Sequence, residues 1–175
     1  MSRRTPLALL GAAVLILAAA VAPAGALAAN TIDIRGGVTV KPGKAVIDTQ
    51  RFTPLVKGIK SGSTLTIRNK AKTKDPHTFS IVKKSQLVKT PGALNSCFEN
   101  GVCGALFAAH EVPEGDGPPG KPVVDVGKEG FDQPGDSVII GGPTATKVKI
   151  TAAKGSNLYY LCAIHPWMQG RLNVR

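Results

Sequence analysis

The sequence predicts an all-β chain, a Greek-key β-sandwich with one long loop insertion. Three observations carry this. Thirteen prolines and twenty glycines in 175 residues mark many turns. Short runs that alternate apolar and polar residues recur between those turns, Thr64–Asn69 being the clearest. No long run of helical period interrupts them.

The first stretch is set apart from this pattern. Met1 to about Ala28 reads as an export signal: Arg3 and Arg4 form its charged start, Leu7 to Val21 its apolar run, and Ala26-Leu27-Ala28 a small-x-small cleavage site. Ser2-Arg3-Arg4-Thr5 is similar to a twin-arginine signal. The apolar run is short for a membrane span, so no stable insertion is expected once the signal is removed; a retained anchor is the competing reading. Residues 29–175 then read as one domain, with the insertion at about 83–135. The domain is expected to work outside the cytoplasm (periplasmic, cell-surface or secreted), where disulfides persist.

With Arg3 and Arg4 in the leader, 20 of the 22 basic residues remain against 11 acidic ones, a net of +9. A basic surface favours acidic partners and speeds encounters with them, and it also serves plain solubility. Aromatic and basic residues do not interleave in a way that suggests nucleic acid.

The strands follow in order. Thr31–Ile34 and Val38–Val40 alternate, and Pro42-Gly43 is a turn. In Thr64–Asn69, Leu65 and Ile67 share one face while Thr64, Thr66 and Arg68 share the other. In the strand from Asp75 to Val82, His77 has the parity of Phe79 and Ile81, so its ring points to the core side at the strand's start. Ser137–Ile140 and Thr146–Thr151 are further strands, with Val148 and Ile150 inward and the lysines outward. Leu172-Asn173-Val174 closes the chain.

The chemistry concentrates in Leu158-Tyr159-Tyr160-Leu161-Cys162-Ala163-Ile164-His165-Pro166-Trp167-Met168. An apolar strand delivers a cysteine, and a short loop presents a histidine and a methionine. Thiolate, imidazole and thioether form a soft mixed donor set that suits copper. A blue-copper electron-transfer site needs two His, one Cys and a weak axial Met; His77 is the candidate for the second imidazole. The plain alternative, Cys and Met as core filler, is weakened because Met168 is the only methionine after Met1.

Cys162-Ala163-Ile164-His165-Pro166-Trp167-Met168 resembles the copper loop of the cupredoxins, the small blue copper proteins. The spacing C-x2-H-x2-M is similar to the short amicyanin form; plastocyanin-type loops are longer. Gly155–Tyr160 resembles the family's approach strand, and the run from Phe52 to Asn69 resembles the strand before its first ligand. The likeness covers roughly Val46–Val82 and Asp136–Arg175. It implies one type 1 copper ion held by His77, Cys162, His165 and Met168, with Asn69 as a candidate hydrogen-bond partner of the sulfur. Thr78 stands where the family often has Asn.

The insertion is the least family-like part. Cys97 and Cys103 flank an Asn100-Gly101 turn and are expected to pair as a disulfide; a metal pair is disfavoured by the wide spacing and the lack of a second pair. Gly104–His110 is a candidate short helix, and His110 is read as a solvated loop histidine. The resemblance implies an exported protein that carries single electrons via Cu(II)/Cu(I), not an enzyme, and a monomer. Redox partners would dock near the His165 loop, on an apolar rim of Ala163, Pro166 and Trp167. Copper binding and trafficking without electron relay is the alternative. The multicopper-oxidase reading is disfavoured because Leu161 and Ala163 flank the cysteine where histidines would be needed. A second copper site would have only His110 left to hold it.

Overall fold

A computed structural model describes residues 30–113 and 117–175, so the leader read in residues 1–28 lies outside the described residues. In chain order the strands are β1 (Thr31–Arg35), β2 (Val38–Lys41), β3 (Ala45–Asp48), β4 (Arg51–Thr53), β5 (Val56–Ile59), β6 (Thr64–Asn69) and β7 (His77–Val82). Two helices follow, α1 (Pro91–Glu99) and α2 (Val102–Ala109). The chain ends with β8 (Val123–Val124), β9 (Ser137–Ile140), β10 (Ala145–Lys149), β11 (Asn157–Leu161) and β12 (Gln169–Val174).

These strands form a sandwich. One sheet has the order β10-β6-β1-β4, the other β5-β12-β11-β7-β9-β8. The chain passes from sheet to sheet at β4–β5, β5–β6, β6–β7, β9–β10 and β10–β11, the crossing pattern of a Greek-key sandwich. Alternation decides what fills the space between them. Ile32, Ile34, Phe52, Leu65, Ile67 and Val148 point inward from the first sheet. Phe79, Ile81, Val138, Ile140, Tyr160 and Leu172 meet them from the second. On the outer side of the first sheet, Asp33 sits opposite Arg68 in the parallel β1–β6 pairing and bonds it at 2.6 Å. The hairpin β2–β3 stands apart as a two-stranded sheet with exposed side chains, and Gly43, at φ 67° in its turn, takes the left-handed conformation that glycine allows.

The second sheet is covered on both faces, so β7 is buried along its whole length. The insertion supplies the outer cover. Thr90 caps α1 by accepting from the Ala93 N–H at 3.2 Å, with Pro91 at the first helical position. Cys97 of α1 and Cys103 of α2 are joined by a disulfide. Together with Leu106 they pack on Val82, Leu161 and Ala163, the side chains on the sheet's outer face. The insertion therefore carries two helices: α2 answers the expected short helix, beginning at Val102, and α1 was hidden behind Gly, Pro and Asn residues that read as loop.

Candidate metal centre

Strand register brings the candidate ligands to one end of the sandwich. β7 and β11 are antiparallel neighbours, with Leu161 opposite Ser80. Cys162 follows the end of β11, and His77 begins β7. The loop from Cys162 to Met168 is closed by its own backbone: Cys162 N–H donates to the Met168 carbonyl at 2.9 Å, and Met168 N–H donates to the His165 carbonyl at 2.8 Å. The Gln169 amide donates to the Pro166 carbonyl at 2.7 Å and to the Val88 carbonyl at 2.8 Å, tying the loop to the insertion.

Within this frame His77, Cys162 and His165 offer one ligand atom each, all within 4.8 Å of one another. The His77 and His165 Nδ1 atoms are 3.2 Å apart, and the Cys162 Sγ is 3.8 Å from each. A point equidistant from these three atoms lies about 2.1 Å from each, close to the 2.0–2.1 Å and 2.3 Å that metal–imidazole and metal–thiolate bonds require. The donor set thus fits a trigonal N2S site without moving the backbone. Met168 is buried in the same core cluster as Cys162, at the loop's end.

The electrostatics keep both imidazoles neutral, the form that binds metal. Burial, helped by the nearby His165 ring, pushes the His77 pKa down to about 4. Burial also lowers that of His165. Burial pushes the Cys162 thiol up; against it work backbone N–H groups of Thr78, His165 and Ile164 and the Thr78 hydroxyl. The Thr78 N–H lies 3.3 Å from the sulfur. On the far side of its ring, His77 Nε2 is buried with no hydrogen-bond partner among the described residues, so packing alone orients that ring.

Three expectations change, and one tie is new. Asn69 is not at the sulfur; its amide donates to the Asp75 carbonyl at 2.9 Å and the Gly141 carbonyl at 3.3 Å, and so shapes the approach to His77. The tie between the two ligand segments comes from Thr78, whose hydroxyl accepts from Ala163 N–H at 2.7 Å. The place after His77 was the available signal, because a hydroxyl oxygen accepts as an amide oxygen does. Ala163 and Pro166 are buried, leaving Trp167, which is 42% exposed and packed edge-on to His165, with half-buried Ile164 as the apolar rim. His110 is not solvated: it is fully buried, its Nδ1 2.6 Å from the Lys121 carbonyl and its Nε2 2.7 Å from Ser137 Oγ. These partners lie 11 and 27 residues downstream, beyond any local pattern.

No family model matches the chain, and no curated protein matches it. Among solved structures, a purple cupredoxin from Nitrosopumilus maritimus aligns at 16% identity, covering 83% of this chain and 98% of its own, with a TM-score of 0.43. Auracyanin A, a blue copper protein from Chloroflexus aurantiacus, aligns at 20% identity over 83% and 99%, with a TM-score of 0.39. An amicyanin aligns at 14% identity over 83% of each chain, also at 0.39. Among the described residues, no helix is long and apolar enough to cross a membrane.

Proposed function

We propose that this chain is an exported type 1 copper protein that carries single electrons between redox partners. The observation that supports it is the triangle of His77 Nδ1, His165 Nδ1 and Cys162 Sγ, buried at one end of a sandwich. Copper bound there would supply a one-electron couple. In this reading the two imidazoles and the thiolate would hold the ion, and Met168 would be the weak donor that tunes its potential. Residues 1–28 are the export signal, and 29–175 form a single monomeric domain with the insertion at about 83–135. The chain relays electrons and turns over no substrate. Its partner docks on Trp167 and Ile164 beside the half-buried His165, a small contact suited to transient encounters. The net positive charge favours an acidic partner face.

The test is to load the purified protein with Cu(II). One ion per chain should bind and give an intense thiolate-to-copper charge-transfer band and a narrow-hyperfine EPR signal. Cys162→Ser should abolish the band; a variant that keeps it sinks the assignment. Loss of most copper on reduction would favour trafficking over relay.

A further inference from the structure

A line of buried polar side chains runs under the second sheet, where the alternation of β7 and β9 would otherwise demand apolar residues. It starts at His110, at the end of α2. His110 Nε2 meets Ser137 Oγ at 2.7 Å, Ser137 Oγ meets Ser80 Oγ at 2.6 Å, and Ser80 Oγ donates to Thr78 Oγ1 at 2.9 Å. Thr78 ends the line at the Cys162 sulfur, which both its N–H and its hydroxyl influence. All four side chains are essentially excluded from water, at 0–1% exposure. A hydrogen-bonded row in such a place has few ways to arrange its protons.

Counting them is informative. The Lys121 carbonyl only accepts, so His110 Nδ1 must donate to it. Ser80 donates to Thr78, so its single proton is used. Ser137 must then donate to Ser80, and it has no proton left for His110. With Ser80 donating to Thr78, His110 Nε2 donates to Ser137, which makes the ring an imidazolium. In that arrangement every hydroxyl points toward the metal centre, and the Thr78 O–H is free to turn to the sulfur. If His110 is neutral, the row reverses: Ser137 donates to His110, Ser80 to Ser137, and Thr78 to Ser80, and the sulfur loses the hydroxyl. Burial favours the neutral ring and lowers its pKa, against the Lys121 carbonyl that raises it. The two states are thus set against each other.

We propose that His110 is a proton-binding site coupled to the metal centre through Ser137, Ser80 and Thr78, so that a proton enters with the electron. This rests on the copper reading above. One electron from the redox partner and one proton from solvent enter together on reduction, and both leave on reoxidation. The proton stays on His110, and the row turns the Thr78 hydroxyl toward the more electron-rich sulfur. By linkage, whatever the electron does to the proton affinity of His110, that proton does equally to the potential. The charged groups around His110 are few. Glu111, next in the chain, is paired with Lys121 at 2.6 Å. Asp136, beside Ser137, is held by the N–H groups of Val126, Asp132 and Gln133. Lys83 and Lys84, beyond β7, are exposed.

Two measurements test the coupling, on wild type, His110→Gln and Ser80→Ala. First, the potential of the copper-loaded protein is followed against pH. In wild type it should fall with rising pH toward a tenfold change per pH unit, 59 mV for one electron, across the interval between the two His110 pKa values. Both variants should flatten that slope. The same slope in His110→Gln as in wild type would overturn the proposal, because the ligand imidazoles would then account for it. Second, the imidazole 15N shifts of His110 are titrated in the metal-free protein. Ser80→Ala should weaken its proton affinity several-fold by removing the acceptor end of the row. An unchanged titration overturns the relay whether or not copper binds. Absence of copper uptake in the first measurement overturns the copper reading instead.

Discussion

Single residues around the centre have separable duties. Met168→Leu should keep copper in both oxidation states and raise the potential, because a weak donor that offsets charge on the oxidised ion is lost. Voltammetry with copper content measured before and after cycling checks this; loss of the ion would move Met168 from tuning to holding. Thr78 matters first to stability. Thr78→Val keeps the shape but leaves the Ala163 N–H buried without an acceptor, at a cost of about 1–3 kcal/mol. Thr78→Ser should recover most of it, and denaturant midpoints of the three proteins decide. Gly170 has a steric reason: a Cβ there would run into the Tyr160 ring and the Leu55 carbonyl. Gly170→Ala should destabilise by about 1–3 kcal/mol, the usual cost of overpacking, again by denaturant midpoint.

At the level of elements, the disulfide links two helices that cover one face of a sheet and closes a loop with a sequence separation of 6. A loop that short restricts the unfolded chain modestly, by about 2 kcal/mol. Replacing both Cys97 and Cys103 by Ser should therefore lower stability by about that amount and leave the strand signal in circular dichroism intact. Collapse of the whole fold would show that the helices are needed for the sandwich itself. The same elements show which parts were legible in the sequence. β6 and β10 were readable because one face of each meets water, so Thr64, Thr66, Lys147 and Lys149 advertise the pattern. Thr78 and Ser80 give the same polar signal in β7, yet both are buried, because the insertion covers the outer face of the sheet and His110, at the end of α2, reaches Ser137 beside Ser80. Parity read the inner face of β7 correctly, and nothing local could report what covers the outer one. The Cys–His–Met spacing was legible for a similar reason: it is local, whereas its meeting with His77 depends on the register of β7 against β11.

For the molecule as a whole, the three histidines set the acid response of the metal-free protein. Burial lowers His77 to about 4 and holds His110 and His165 below the ordinary 6.5. Between those values the unfolded chain binds more protons than the folded one, so stability rises with pH there. It should be full above about 6.5 and decline as pH falls toward about 4. Thermal midpoints of the metal-free protein across this range check the sign. A midpoint that rises on acidification would contradict the buried neutral rings. Bound metal should extend the part due to His77 and His165 to lower pH, since the ligand nitrogens of the folded protein then take up no protons while those of the unfolded chain still do.

The alternation of β11 has a consequence for handling the chain in an oxidising compartment. Leu161 and Ala163 face the disulfide side of the sheet, and Cys162 between them faces the opposite side, in the inner core. Thiol–disulfide exchange needs a thiolate to reach a sulfur in line, and here a strand's backbone stands between them. An odd cysteine usually invites scrambling once it meets an oxidised pair. In this fold the sheet acts as a partition, with the disulfide on one side and the buried free thiol on the other.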